Sequence, residues 1–275
     1  MSTRIKDRRH FEERTTRALV RIAVESYASR RSWKAIRVLH FRGTRDVFEG
    51  GKRLCQSQNS LEREIGAHIL AQLGVTKKTF MAESVKILVC LLGDQVDDVV
   101  VAAGVALGHR DSPKAVPHLI KLKNHKNHLV RYAVTSGLGG QESKKATGAL
   151  IELSKDSSAL VRDWATFALG VIINRDTKRI RDALLACLVD EDAAVRGQSL
   201  IGLVRRKDKR VLGPLRQELG RELEGDWALE AAALSRHRSL YPVLLKLRRQ
   251  KECAAGHWLY SDLEAAIAAC RPRKR

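Results

Sequence analysis

Val130-Arg131-Tyr132-Ala133-Val134-Thr135-Ser136-Gly137-Leu138-Gly139 returns 31 residues later as Val161-Arg162-Asp163-Trp164-Ala165-Thr166-Phe167-Ala168-Leu169-Gly170. The shared phrase is Val-Arg-x-x-small-x-x-small-Leu-Gly. Val195-Arg196 through Gly202-Leu203 is a third copy, and Val99 through Leu107-Gly108 a fourth with Val100 in the Arg slot. The Arg slots fall at 100, 131, 162 and 196, in steps of 31, 31 and 34. A looser copy surrounds Arg63, Gly66, Ile69 and Leu70, and a degraded one Asp226-Trp227 and Ala233-Leu234. A period of this length marks stacked structural repeats, each touching only its neighbours. Such stacks present long binding surfaces more often than enclosed pockets.

Working outward from the phrase, apolar residues at three- and four-residue spacing predict second helices near 80–92, 115–122, 146–153, 180–188 and 211–219. A short polar joint follows each, then the phrase helix, whose slots one, five, eight and nine form a buried face. No stretch alternates with period two, so no strands are expected. The expected fold is therefore all-α: an α-α superhelix, or α-solenoid, of six or seven stacked antiparallel helix pairs. Pro113, Pro117, Pro214 and Pro242 fall near the starts of the second helices, where a missing N–H costs little. Gly108, Gly139 and Gly170 fall near the ends of phrase helices and read as left-handed caps. Asp156, Asp190 and Asp192 precede phrase helices, as N-capping or dipole-facing groups.

The segments Phe11 to Tyr27 and Trp33 to Leu39 read as helices but lack the phrase, so residues 1–56 form a divergent N-terminal cap. Residues 57–235 carry the repeats, 236–270 the C-terminal capping helices, with Trp258 to Cys270 closing the stack, and 271–275 a disordered basic tail. Gly50-Gly51 through Ser60 reads as a flexible joint.

Lysine and arginine number 51 against 31 aspartates and glutamates in 275 residues, for a net charge of +20. The excess is uneven: +9 over residues 1–56, +8 over 205–275 and only +3 between. Such a field attracts polyanions at range. The five cysteines are odd in number and include no Cys-x-x-Cys, which gives neither a disulfide framework nor a zinc site. Cys90 and Cys187 sit in apolar runs and read as buried thiols in a reducing cytoplasm. The charged N-terminus carries no apolar stretch, so no secretory signal is expected. The longest apolar runs are far short of a membrane span, so no membrane insertion is expected.

These residues resemble HEAT repeats, in particular the short bacterial HEAT-like repeats of the bilin-lyase type, over roughly residues 60–235. In that family an Asp commonly stands six residues before the Arg, and the two form a ladder between neighbouring repeats. Asp156 precedes Arg162 by six and Asp190 precedes Arg196 by six. Asp94 precedes Val100, a rung without its Arg, and His125 replaces the Asp before Arg131. The resemblance implies an α-solenoid that binds macromolecules, without naming the partner. Arg63, Arg131, Arg162 and Arg196, with Asp156 and Asp190, then read as a structural ladder; the alternative is a row of phosphate contacts.

Tyr132, Trp164 and Phe167 lie on phrase helices, the inner surface of a HEAT-type solenoid. They stand as stacking or anchoring groups, against a competing role in packing between repeats. Arg205-Arg206-Lys207-Asp208-Lys209-Arg210 is the densest basic loop, joined by Arg30-Arg31, Lys52-Arg53, Arg236-His237-Arg238 and Arg248-Arg249. These groups read either as an anion-binding edge or as a solvated surface. His125 and His128 occupy a polar turn with no carboxylate or thiol beside them, so no metal is expected there. None of the nine histidines precedes a Glu, which excludes the His-Glu dyads of the iron-dependent HEAT-repeat hydroxylase (deoxyhypusine hydroxylase). No phosphate loop, nucleophile elbow or carboxylate pair appears, so no catalytic residue and no cofactor are nominated.

The expectation is a non-enzymatic cytoplasmic binding module that uses its inner surface and basic edges. A protein partner with an acidic surface comes first, and nucleic acid held by backbone contacts second. An alkylated-base DNA glycosylase of HEAT-like fold, built on Asp163-Trp164 or Asp226-Trp227, and a bilin lyase remain as further alternatives.

Overall fold

The computed structural model describes residues 11–75, 77–221, 225–250 and 259–272. Among them there are sixteen α-helices and no strand. In chain order they are α1 (Thr16–Glu25), α2 (Arg30–Arg42), α3 (Arg45–Cys55), α4 (Ser60–Ala71), α5 (Met81–Leu91), α6 (Asp97–Arg110), α7 (Val116–Lys121) and α8 (His128–Leu138). There follow α9 (Lys144–Leu153), α10 (Ala159–Phe167), α11 (Lys178–Cys187), α12 (Ala193–Arg205), α13 (Leu212–Leu219), α14 (Trp227–Ser235), α15 (Tyr241–Gln250) and α16 (Tyr260–Cys270). Trp258, the expected start of the closing helix, and residues 273–275 of the tail lie outside the described residues.

The packing divides the chain into two units, Met1–Gln141 and Glu142–Arg275. In the first, α1 packs on α2, α3 and α4, α2 packs on α4, and the phrase helices α4, α6 and α8 pack in succession. In the second, the succession is α10, α12, α14 and α16, with α9, α11, α13 and α15 each against its own phrase helix. Leucine, valine and alanine fill both interiors: Ile65, Leu70, Val99, Leu107 and Leu138 in the first, Val161, Leu169, Leu184, Leu203 and Leu215 in the second, all essentially inaccessible.

The phrase helices α4, α6, α8, α10 and α12 begin the same way. Six residues before the Arg slot stands a short acceptor: Ser57, Asp94, His125, Asp156 or Asp190. Each accepts the N–H two residues on, at 3.1, 3.0, 3.2, 2.9 and 2.9 Å. Asn59, Asn127 and Asp192 then cap the helix by accepting from Leu61, Leu129 and Ala194, which satisfies donors of the first turn. His125 thus does the local work of the Asp it replaces, through Nδ1. The 34-residue step is absorbed after α10: Ala168–Ile172 form a π turn before an extended path leads to α11.

Three expectations are corrected. Gly50 and Gly51 are no joint; both are buried within α3, and a Cβ on Gly51 would lie 3.1 Å from Ile69 and Leu70. Gly108 and Gly170 are not left-handed caps, and Gly139 has φ −56. The residues that leave helices with positive φ include Asp111, Lys207 and Arg236. The phrase glycines instead mark close approach: a Cβ on Gly108 would meet the Ser136 carbonyl at 2.6 Å, and one on Gly170 the Gln198 carbonyl at 2.7 Å. Cys90 is exposed, because α5 buries Ser84, Val85, Leu88 and Leu91 and leaves Cys90 on the outer side. Cys187 is buried, its thiol 3.7 Å from the Ser154 carbonyl.

Candidate binding surface

The Arg-slot side chains turn into the structure. Arg63 donates through Nε and Nη2 to both Asp94 carboxylate oxygens, at 2.7 and 2.8 Å, so Asp94 serves the preceding repeat's arginine. Arg162 grips Asp190 in the same way at 2.8 and 2.9 Å. Arg196 uses Glu218 at 3.0 and 2.8 Å. The remaining nitrogen of each fork, Nη1, reaches back to the carbonyls six and five residues earlier: Ser57 and Gln58, His125 and Lys126, Asp156 and Ser157, Asp190 and Glu191. Bidentate geometry of this kind makes the pair directional as well as strong. Where Val100 removes the Arg, the next repeat's Asp is also gone; Asn127 and His125 face Asp97 there at 2.9 and 3.8 Å. Losing both charges together avoids leaving one uncompensated in a half-buried site.

A second recurring position was not legible in the phrase. Ten residues after the Arg slot, Arg110 is 1% exposed and donates to the carbonyls of Leu70, Leu73 and Thr79, at 2.6, 3.1 and 3.3 Å. Arg206 reaches the carbonyls of Leu169, Gly170, Ile173 and Gly202 at 2.6–3.1 Å. Gln141, at the corresponding position of its repeat, donates to Asp111 at 2.5 Å. The two arginines thus satisfy carbonyl groups of the preceding repeat, near helix ends where backbone partners run out, while Gln141 ties to a carboxylate there. Burial pushes the Arg110 guanidinium down to about 10, so it stays charged at neutral pH.

The basic loop is accordingly reassigned in part. Arg206 is buried and cannot form an anion-binding edge. Arg210 is held bidentately by Asp208 at 2.9 and 2.6 Å and lies 3.6 Å from Asp182. The Arg210 hydrogen bonds hold the Asp208 carboxyl down to about 2. Arg205 donates to the Val171 carbonyl but remains exposed, as do Lys207 and Lys209.

Slots three and seven of the phrase are half-buried in four successive copies, whereas the residues flanking them are mostly buried. They hold Glu64 and His68, Val101 and Val105, Tyr132 and Ser136, Asp163 and Phe167. Trp164 stands edge-on to Phe167, ring centres 5.9 Å apart, and is also half-buried. Burial raises the Tyr132 phenol and the Asp163 carboxyl. Asp226 precedes α14 without a capping hydrogen bond from its side chain, and the Trp227 ring lies against Gly197 and Gly225. Among the described residues, no cluster of three or more His, Cys, Asp or Glu is arranged to hold a metal, and no helix is long and apolar enough to cross a membrane.

Nearest the N-terminus, His40 is buried with Nε2 2.8 Å from the His68 carbonyl. Burial pushes it down to about 4, and Arg110, His109 and His68 add to the effect. The unfolded chain takes up this proton below about 6.5 while the folded protein refuses it. His40 therefore stabilises fully above pH 6.5, and that stability is lost as pH falls towards 4, on the order of 3 kcal/mol. His40→Asn should flatten the decline of Tm between these pH values; an unchanged decline contradicts the assignment.

The helix α2 carries Arg30, Arg31, Lys34, Arg37 and Arg42, with no carboxylate between Glu25 and Asp46. Trp33 and Phe41 on the same helix are 50% and 67% exposed. The Trp33 ring meets His68 edge-on at 5.0 Å, which fixes its orientation.

A family model for HEAT repeats matches residues 85–170 and again 147–236. Protein YibA of Escherichia coli K12 is 32% identical over 228 residues, covering 80% of this chain and 81% of YibA. The X-ray structure of Escherichia coli YibA superposes with a TM-score of 0.71 at 28% identity, covering 98% of this chain and 97% of that one. An engineered protein shares the fold at TM-score 0.52 and 16% identity, over 92% of this chain and 77% of its own.

Proposed function

The chain belongs to the HEAT-repeat family, and on that premise we propose that it is a binding module which holds a protein partner with an acidic surface. One observation carries this reading. The repeated positions are consumed by the frame, while slots three and seven of α4, α6, α8 and α10 stay partly accessible and differ chemically from one helix to the next. A scaffold that keeps its Arg rungs, glycine contacts and caps constant while varying one strip per helix is built to display that strip. The exposed Lys207 and Lys209, and the net charge of +20, supply attraction at range. No covalent chemistry is needed for this role.

Val101 and Val105 are the test positions, since both are half-buried on α6 and neither contributes to a rung. The immobilised parent should retain discrete proteins from a cell extract that V101E/V105E releases at unchanged Tm. Retention of the same set by both proteins, or by the parent only what a basic control of equal charge retains, contradicts the proposal.

A further inference from the structure

We propose that α2 binds single-stranded nucleic acid, with phosphates on Arg30, Arg31 and Arg37 and unpaired bases stacked on Trp33 and Phe41. This site lies on α2, beside the slot-seven His68 that the Trp33 ring meets, and does not depend on the partner reading above.

Helical spacing sets the geometry. Trp33, Arg37 and Phe41 follow each other at four-residue intervals, so they form one stripe about 12 Å long, with Arg30 and Lys34 beside it. Trp33, Arg37, Phe41, Arg30 and Arg31 are all exposed. Among the described residues, no ion pair engages Arg30, Arg31 or Arg37, whereas nearby Arg21 is held by Glu25 and Arg45 by Glu49 and Glu83. A groove of about 540 Å³ lined by Glu12, Arg37, Val38, Phe41 and Arg42 opens beside the Phe41 ring. Arg42 is committed there, donating to the Glu12 and Arg14 carbonyls, so Arg37 is the cation facing an incoming ligand.

Three kinds of partner suit a basic aromatic helix, and charge and pattern choose among them. A protein interface depletes charge at its core, because ions taken out of water must be repaid by close partners. Five cations on a thirteen-residue helix with no acid exceed that pattern. An interfacial membrane helix segregates its rings from its cations; here they interleave. A single strand uses both at once: cations follow the backbone and release counterions, and rings stack on any base. Duplex bases are already stacked, which leaves Trp33 and Phe41 without a role.

Fluorescein-labelled dT20 and U20, a 20-base-pair duplex, polyglutamate and phosphatidylserine vesicles should be titrated with the full chain across a salt series. Both single strands should bind more tightly than the duplex, and the stronger of the two identifies DNA or RNA as the ligand. W33A and F41A should each weaken binding about tenfold at unchanged Tm, with W33F retaining most of it. R30Q/R31Q/R37Q should lower the slope of log K against log salt by about 2. Duplex or polyglutamate bound as tightly as the single strands, vesicle binding without oligonucleotide binding, or single-strand binding indifferent to W33A and F41A overturns the proposal.

Discussion

Arg110→Met is expected to cost about 3 kcal/mol. Arg110 is the largest wholly buried side chain among the described residues, and it donates to three carbonyls of the preceding repeat. Hydrogen bonds from a charged donor contribute about 1.5–3 kcal/mol each, and abandoned acceptors add a desolvation cost. Burial of the charge and the unpartnered Nη2 offset part of that total. Methionine fills the space but donates nothing. Arg110→Lys should recover less than half, since an ammonium cannot reproduce the planar fork. A fall in Tm of about 10 °C is expected, against a change within about 0.5 kcal/mol for the exposed Arg31→Met. Equal melting of the Arg110 and Arg31 variants would refute the role assigned to this position.

Gly170→Leu is expected to cost about 3 kcal/mol or more, for a different reason. The first added carbon would already meet the Gln198 carbonyl at 2.7 Å and the Gly202 Cα at 3.3 Å. Both obstructing groups are backbone, so no rotamer change relieves them, and the π turn after α10 must move away from α12. Gly148, inside α9, has nothing within 4 Å of its Cβ position. Gly148→Ala should therefore stabilise by about 0.5–1 kcal/mol through helix propensity alone. Urea midpoints moving in opposite directions would support the division between contact glycines and free ones; both falling would contradict it.

The helix pairs were readable because buried slots recur with the period of a helix and the repeat recurs with the period of the stack. Polar partners were harder to read. The sequence shows Asp94 six residues before a valine, but its guanidinium comes from Arg63, a repeat earlier. Arg206 looked like one of six residues in a charged loop, yet its neighbours in space are the carbonyls around Leu169 and Ile173. A signal existed, since Arg110, Gln141 and Arg206 all stand ten residues after an Arg slot. It lies just beyond the glycine that closes the phrase. Cys90 shows the opposite limit: an apolar run does not say which side of a short helix faces the core. The exposed rings of α2 were also missed, because Trp33 and Phe41 lie outside the phrase and look like core residues by type alone.

The central claim is that the phrase helices α4, α6, α8 and α10 display their third and seventh slots to a partner. Photo-crosslinking tests it most directly. A benzoylphenylalanine placed at Tyr132, in slot three of α8, should yield a discrete protein adduct in cell extract, while the same group at exposed His118 on α7 should yield none. An adduct from position 118, or none from position 132, would contradict the account.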